Sequence, residues 1–159
     1  DMLYIQDQDG AYLPAPKEAI FTEAKRISGY QLRRGVFIRS SDVAKAAIQQ
    51  KIGNYQCEMF ACLFLDSSHR LLEFVEMFRG SVNCATIHPR EVVKEALRLN
   101  AAAVILAHNH PSGESHPSPQ DIELTKKLKD ILQVIDVRVL DHLVIGDEIT
   151  SLADSGYLS

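Results

Sequence analysis

An apolar run that ends in a pair of histidines is the sequence feature that most constrains how this chain can fold. Residues 102–107 are all apolar and are followed by His108, Asn109 and His110, which indicates a buried strand that ends at a polar loop. Side chains alternate between the two faces of a strand, so residues i and i+2 point the same way. Both imidazoles can therefore reach one ion at the end of the strand.

The residues after the histidine pair supply a third candidate ligand, Asp121, which follows His110 after ten intervening residues. A carboxylate there would give a His₂Asp set with one position left for water, which is the open arrangement of a catalytic zinc site. Ser118, Pro119 and Asp121 also match a helix start that needs no metal, with serine at the N-cap and proline at the first helical position. Capping and coordination are compatible, because a cap orients the side chain that it uses. We therefore expect a metal site at the start of a capped helix.

Length and charge narrow the class of protein. A chain of 159 residues suits one domain with a proper core. The net charge of -4 argues against a general nucleic-acid binder, and Arg33-Arg34 and Lys126-Lys127 are pairs, not a patch. We therefore expect no strong binding of nucleic acid.

The three cysteines bear on the compartment. Cys57, Cys62 and Cys84 show no C-x-x-C spacing, so neither a disulfide framework nor a thiolate zinc site is indicated. No apolar run has membrane-spanning length, and no segment has the pattern of a secretory signal. We expect buried free thiols, a cytoplasmic protein and no membrane partner.

Two regions differ in pattern. Residues 1–35 form a predicted extension with two short apolar pieces and a helix from Lys17 to Ile27, stopped near Gly29. Residues 36–159 alternate between helical and strand patterns. The predicted helices there are Asp42 to Ile52, Pro89 to about Leu99 and Pro119 to about Ile135. The predicted strands are Glu58 to Leu65, Leu71 to Phe78, Ser81 to Ile87, Ala102 to Ala107, Val137 to Ile145 and Glu148 to Leu152. Helices packed on a mixed sheet make this an α/β or α+β domain.

With these elements in place, the chain resembles RadC-family proteins, whose domain belongs to the JAB/MPN metalloprotease-like superfamily. That signature is an early Glu, then His-x-His, seven residues, Ser, two residues and Asp, and His108, His110, Ser118 and Asp121 fit its spacing. Three further strings carry the RadC resemblance: His88-Pro89-Arg90-Glu91, His108-Asn109-His110-Pro111-Ser112-Gly113 and Leu140-Asp141-His142. The match covers roughly residues 36 to 159, and the helix-hairpin-helix domain often found before it in this family is missing from this sequence.

The resemblance implies a JAB/MPN, cytidine-deaminase-like architecture and a zinc ion held by His108, His110 and Asp121. A zinc-bound water has a pKa of about 7 and can attack an amide at neutral pH. The resemblance also implies a glutamate as general base, at Glu58, and a hydrogen bond from Ser118 to the developing oxyanion.

Two assignments stay open at this point. Glu58 opens the first strand of the domain, and Glu73 and Glu76 on the next strand are its rivals; we favour Glu58 over Glu76. Asp141 and His142 alternate in face, so at most one points at the site, either to orient a ligand imidazole or as part of a structural pair.

The leading hypothesis is a zinc-dependent hydrolase of the metallopeptidase or isopeptidase kind, acting on a peptide or amide substrate whose identity the sequence leaves open. The alternative is a non-catalytic metal-binding scaffold associated with DNA repair or recombination. Hydrolysis of a non-peptide amide or a nucleotide-like molecule is a third option, since specificity lies in the groove around the ion. A homodimer is the candidate assembly.

Overall fold

A computed structural model describes residues 2–31, 33–38, 40–81 and 86–158 of the chain. These residues form seven strands and four helices in mixed order. The elements are β1 (Tyr4–Gln6), β2 (Tyr12–Pro14), α1 (Lys17–Gln31), α2 (Ser41–Ile52), β3 (Met59–Leu65), β4 (Leu71–Arg79), α3 (Pro89–Arg98), β5 (Ala103–Asn109), α4 (Pro119–Val134), β6 (Arg138–Ile145) and β7 (Ile149–Ser151).

The centre of the fold is a five-stranded sheet in the order β4-β3-β5-β6-β7. Strands β5 and β6 are parallel, and the other neighbouring pairs are antiparallel. A parallel pair needs a crossover connection, and here α4 supplies it. The predicted mixed sheet flanked by helices is confirmed. Of the predicted strand from Ser81 to Ile87, residues 82–85 lie outside the described residues.

Helices cover both faces of this sheet. On the α2 face, Ala44, Ala47 and Ile48 of α2 pack against alternate residues of β3 and β5. On the α4 face, residues of α3 and α4 pack against the other set. All seven residues of β3 and all seven of β5 are buried, because a strand with both faces covered has no solvent side.

The N-terminal extension consists of a two-stranded sheet and the helix α1, which contacts α2. Among the described residues, β1 and β2 pair with each other in antiparallel fashion and with no further strand. The helix α1 follows and ends at Gln31, four residues beyond the predicted end at Ile27 and two beyond Gly29. The proposed boundary near residue 35 stays a prediction.

The cysteines that the structure describes carry free thiols. Cys62 is buried between the sheet and the α4-side helices, and burial raises the pKa of its thiol far above the usual value. Cys57 is only partly buried, so the expectation of a fully buried thiol is wrong there. Cys84 lies outside the described residues. No described helix is both long and apolar enough to cross a bilayer.

Candidate metal centre

Three side chains converge where β5 ends and α4 begins. The Nε2 atoms of His108 and His110 lie 2.8 Å apart. Asp121 Oδ1 lies 3.2 Å from His108 Nε2, and Asp121 Oδ2 lies 3.4 Å from His110 Nε2. Each residue offers one potential ligand atom, and these three atoms all lie within 4.8 Å of one another. The group could therefore hold a metal ion.

The capping residues of α4 aim the carboxylate. Ser118 Oγ accepts a hydrogen bond from the backbone nitrogen of Asp121 at 3.1 Å, and Asp121 Oδ2 accepts one from the backbone nitrogen of Ser118 at 2.7 Å. This is a complete capping box. The same carboxylate faces both imidazoles, so capping and convergence on the histidines occur together.

His110 is fixed from its far side. Its Nδ1 lies 2.7 Å from the backbone oxygen of Glu114, and a carbonyl can only accept, so Nδ1 carries the hydrogen. Gly113 makes this loop close-packed: its carbonyl accepts from Asp147 N at 2.8 Å. Its φ is 88°, and a Cβ there would lie 2.8 Å from the Asp147 carboxylate. Only glycine fits at that position without strain.

His108 is fixed by a second histidine. Its Nδ1 lies 2.8 Å from His142 Nε2, and His142 Nδ1 lies 2.6 Å from Thr125 Oγ1. The Thr125 hydroxyl also lies 2.6 Å from the backbone oxygen of Asp121. His142 therefore points at the site, whereas Asp141 lies on the α2 face and accepts hydrogen bonds from Ser151 Oγ and two backbone nitrogens.

The donor set suits a divalent cation. The Nδ1 of His110 is committed to a carbonyl and the Nδ1 of His108 to another side chain, so the lone pairs of both Nε2 atoms face the carboxylate of Asp121. Three electron-pair donors that converge in a buried place require a positive charge between them. Imidazole nitrogens with one carboxylate oxygen are typical zinc ligands.

The pKa shifts agree with a negatively charged, ligand-like site. Burial opposes ionisation of Asp121, but the neighbouring His108 and His110 rings outweigh it and hold the pKa of that carboxyl well below its usual range. The Asp121 carboxylate in turn raises the pKa of His110 above its ordinary value against the effect of burial. Burial lowers the pKa of His142 well below its ordinary value, so that ring is neutral.

Strand register places Glu58 on the face of the histidine pair. In the antiparallel β3–β5 pair, Phe60 lies opposite His108. Residues directly opposite each other share a face. Glu58 directly precedes β3, and continuing the same pairing by two residues beyond Phe60 and His108 would bring Glu58 opposite His110. The carboxylate of Glu58 is close enough to contribute to the raised pKa of His110.

The rival glutamates lie elsewhere. Glu76 pairs with Ala61 on the α2 face and accepts a hydrogen bond from Tyr55 Oη at 2.7 Å. Glu73 is on the α4 face, but it forms an ion pair with Arg98 at the other end of the strand. Of the three, only Glu58 shares both the face and the strand end of the histidines.

Asn109 holds the segment that carries Glu58. Asn109 is almost fully buried, and its Oδ1 accepts from the backbone nitrogen of Met59 at 2.6 Å. Its Nδ2 donates to the backbone oxygens of Tyr55 and Cys57, at 3.3 and 3.0 Å. One amide thus fixes the chain on both sides of Glu58.

Sequence reasoning did not single out Thr125 as a site residue. It follows Asp121 by four positions, which places both on one face of a helix. Asn109 was part of a motif, without a role of its own. Its position between two histidines on a strand already implies that it points to the opposite face.

Comparisons with known proteins agree with this geometry. The model of the family described as RadC-like JAB domain matches residues 38–157. A UPF0758 protein of Vibrio cholerae is 50% identical over 139 residues, which are 87% of this chain and 88% of that protein. A UPF0758 protein of Thioalkalivibrio sulfidiphilus is 46% identical over 144 residues, which are 91% of this chain but 65% of the relative.

Proposed function

Because the chain belongs to the RadC-like JAB domain family, we propose that it is a zinc-dependent hydrolase acting on a peptide or isopeptide-type amide bond. The observation that carries this proposal is the convergence of three groups where β5 ends and α4 begins. They are His108 Nε2, His110 Nε2 and the Asp121 carboxylate. Three protein ligands leave a position open, which is the ligand count of catalytic zinc sites.

A bound Zn²⁺ would act as a Lewis acid and make a nucleophile from water at neutral pH. The ligand residues suit that role because the polar surroundings fix their orientation. His108 is fully buried and Asp121 is 2% exposed, whereas the His110 side chain is 13% exposed. The site therefore opens towards solvent on the side of His110.

Glu58 is the candidate general base. Continuing the β3–β5 pairing to Glu58 would put it beside His110, the more open of the two histidines. A carboxylate there would take a proton from the attacking water and deliver it to the leaving amine. Such proton transfer typically contributes about 10²–10⁴-fold to the rate.

Ser118 is the candidate donor to the developing oxyanion. Its Oγ uses a lone pair to accept the cap hydrogen bond from Asp121 N, so the hydroxyl hydrogen stays available for donation. A donor aimed at the developing negative charge lowers the barrier most when it is preorganised. The capping box supplies that preorganisation.

The peptide or isopeptide substrate class rests on the family resemblance, because the ligand set does not distinguish one amide from another. The test is turnover of a panel of peptide, isopeptide and small amide substrates by the zinc-loaded chain. Glu58→Gln keeps the shape of the side chain and should retain zinc while losing most turnover. Glu76→Gln is the matched control, since Glu76 lies on the opposite face of the sheet.

The outcomes of this test distinguish between the candidate bases, the scaffold alternative and the substrate classes. Turnover that persists in Glu58→Gln and is lost in Glu76→Gln would contradict the assignment of the base. Zinc binding without turnover of any substrate in the panel would favour the alternative, a metal-binding scaffold. Turnover of small amides alone would keep the zinc chemistry but reject the peptide class.

A further inference from the structure

We propose that Thr125 and His142 are positioning residues of the metal centre, which keep the hydrogen of His108 on Nδ1 and the lone pair of its Nε2 directed at the ion. The inference rests on the zinc site proposed above, and it assigns a role to two side chains outside the ligand set. The donors and acceptors along one chain of buried contacts support it.

The chain of contacts starts at a backbone carbonyl. The oxygen of Asp121 can only accept, so the Thr125 hydroxyl, 2.6 Å away, donates its single hydrogen there. Thr125 Oγ1 can then only accept from His142 Nδ1, at 2.6 Å. A neutral imidazole carries one hydrogen, so His142 Nε2 is an acceptor. His108 Nδ1, at 2.8 Å, must be the donor.

Burial enforces these donor and acceptor assignments. Thr125, His108 and His142 each have no exposed surface, so water cannot replace a missing partner. The His142 ring also packs against the Phe60 ring in a T-shaped arrangement, with ring centroids 6.1 Å apart. A buried polar group without its partner costs about 1–3 kcal/mol, which disfavours the reversed arrangement.

The order of hydrogen bonds determines which atom of His108 faces the ion. With its hydrogen on Nδ1, His108 offers a lone pair at Nε2, towards Asp121 and His110. The other tautomer would place a hydrogen at Nε2, where the metal must bind. Outer partners of ligand histidines set the tautomer and ring orientation in this way, and their loss typically weakens metal binding about 10–100-fold.

The first test measures zinc affinity by competition with a chromophoric chelator. Thr125→Val removes the hydroxyl while keeping the shape, and we expect zinc affinity to fall by about 10–100-fold. Thr125→Ser restores the hydroxyl and should restore the affinity. Thr150→Val, on β7 and outside this chain of contacts, controls for the substitution itself. Unchanged affinity in Thr125→Val, or no recovery in Thr125→Ser, would overturn the proposal.

The second test reads the tautomer directly, by ¹H–¹⁵N correlation of the histidine rings in the zinc-free protein. Wild type should show His108 with its hydrogen on Nδ1, and Thr125→Val should lose that preference. A merely structural role for Thr125 would lower thermal stability without changing the tautomer. A wild-type His108 with its hydrogen on Nε2 contradicts the proposal even if no variant folds.

These tests separate the two proposals. The tautomer is measured without zinc or substrate, and zinc affinity is measured without turnover. A chain that binds zinc with the expected tautomer but hydrolyses nothing would reject the hydrolase and keep the positioning role. If the wild-type chain hydrolyses amides and Thr125→Val binds zinc with unaltered affinity, the hydrolase is kept and the positioning role is rejected.

Discussion

Asn109 Oδ1 and the backbone nitrogen of Met59 form a buried hydrogen bond of 2.6 Å across two neighbouring strands. The same amide donates to the carbonyls of Tyr55 and Cys57. Asn109 therefore ties the strand of the two histidines to the segment that carries Glu58. The histidines and the candidate base are thus linked by an amide that lies on the other face of the sheet.

Asn109→Ala should lower the free energy of unfolding by about 1–3 kcal/mol, because it leaves buried backbone groups without their partner. Urea unfolding followed by circular dichroism measures this change. Asn54→Ala, in the exposed turn just before this segment, is the control and should be close to neutral. A loss in Asn109→Ala no larger than in Asn54→Ala would show that the amide does not hold the segment.

The chain purified without chelator should contain about one zinc per molecule, because three ligand atoms converge within 4.8 Å. The double variant His108→Ala/His110→Ala should contain almost none, by elemental analysis. His116→Ala removes an exposed histidine of the following loop and should leave the zinc content unchanged. Equal zinc in the double variant and the wild type would reject the ligand assignment. Metal analysis must be done near neutral pH, since protonation of ligands releases zinc.

Substitutions of Ser118 should separate its two roles. Ser118→Gly keeps an acceptable N-cap and should lower the free energy of unfolding by only a few tenths of a kcal/mol, but it removes the hydroxyl. If that hydroxyl stabilises an oxyanion, turnover should fall by about 10²–10³-fold. Ser118→Thr keeps cap and hydroxyl and serves as the control. Equal turnover in the glycine and threonine variants would limit Ser118 to capping.

Binding to duplex DNA should be weak and independent of sequence. Phosphate contacts by Lys and Arg supply most non-specific affinity, and the chain has a net charge of -4. Arg33 and Arg34 directly precede Gly35, whose backbone nitrogen donates to the oxygen of Leu71 at the start of β4. Lys126 and Lys127 are on α4, which contacts β6. Strands β3 and β5 separate β4 from β6. Fluorescence anisotropy at physiological salt tests this, and tight binding there would support the DNA-repair scaffold.

The sequence was most informative where the geometry is local. Two histidines at i and i+2 must share a face of a strand, and Ser118 to Asp121 has the spacing of a capping box. Both features depend on residues close in the chain. The structure brings them together as that spacing predicts.

Long-range register bears on the alternatives that the sequence left open. The choice between Glu58 and Glu76 depends on how β3 pairs with its two neighbours, and no local pattern contains that information. Its outcome favours the Glu58 hypothesis, which stays a prediction until turnover is measured.

A β-bulge explains why Asp141 and His142 could not be separated from the sequence. Val139 packs on the α4 face, and regular alternation from there would place Asp141 on that face and His142 on the other. The register shift between Val104 and Ile105 leaves Leu140 as an extra residue in β6. After this residue, the side chains of β6 alternate between the two faces in the opposite order. His142 consequently lies on the same face as His108. An insertion of one residue in a strand leaves no clear signal in hydrophobicity alone.

The polar face of α4 has a consequence for how this chain can vary in length. Ser118, Asp121 and Thr125 occupy the cap, the third helical position and the next turn of α4, and each added residue rotates the remainder of the helix by about 100°. One inserted residue between Asp121 and Thr125 would keep the cap and the ligand but turn the threonine away from His142. Insertions and deletions compatible with this centre should therefore fall before Ser118 or after Thr125. The spacing of four residues between Asp121 and Thr125 should not vary.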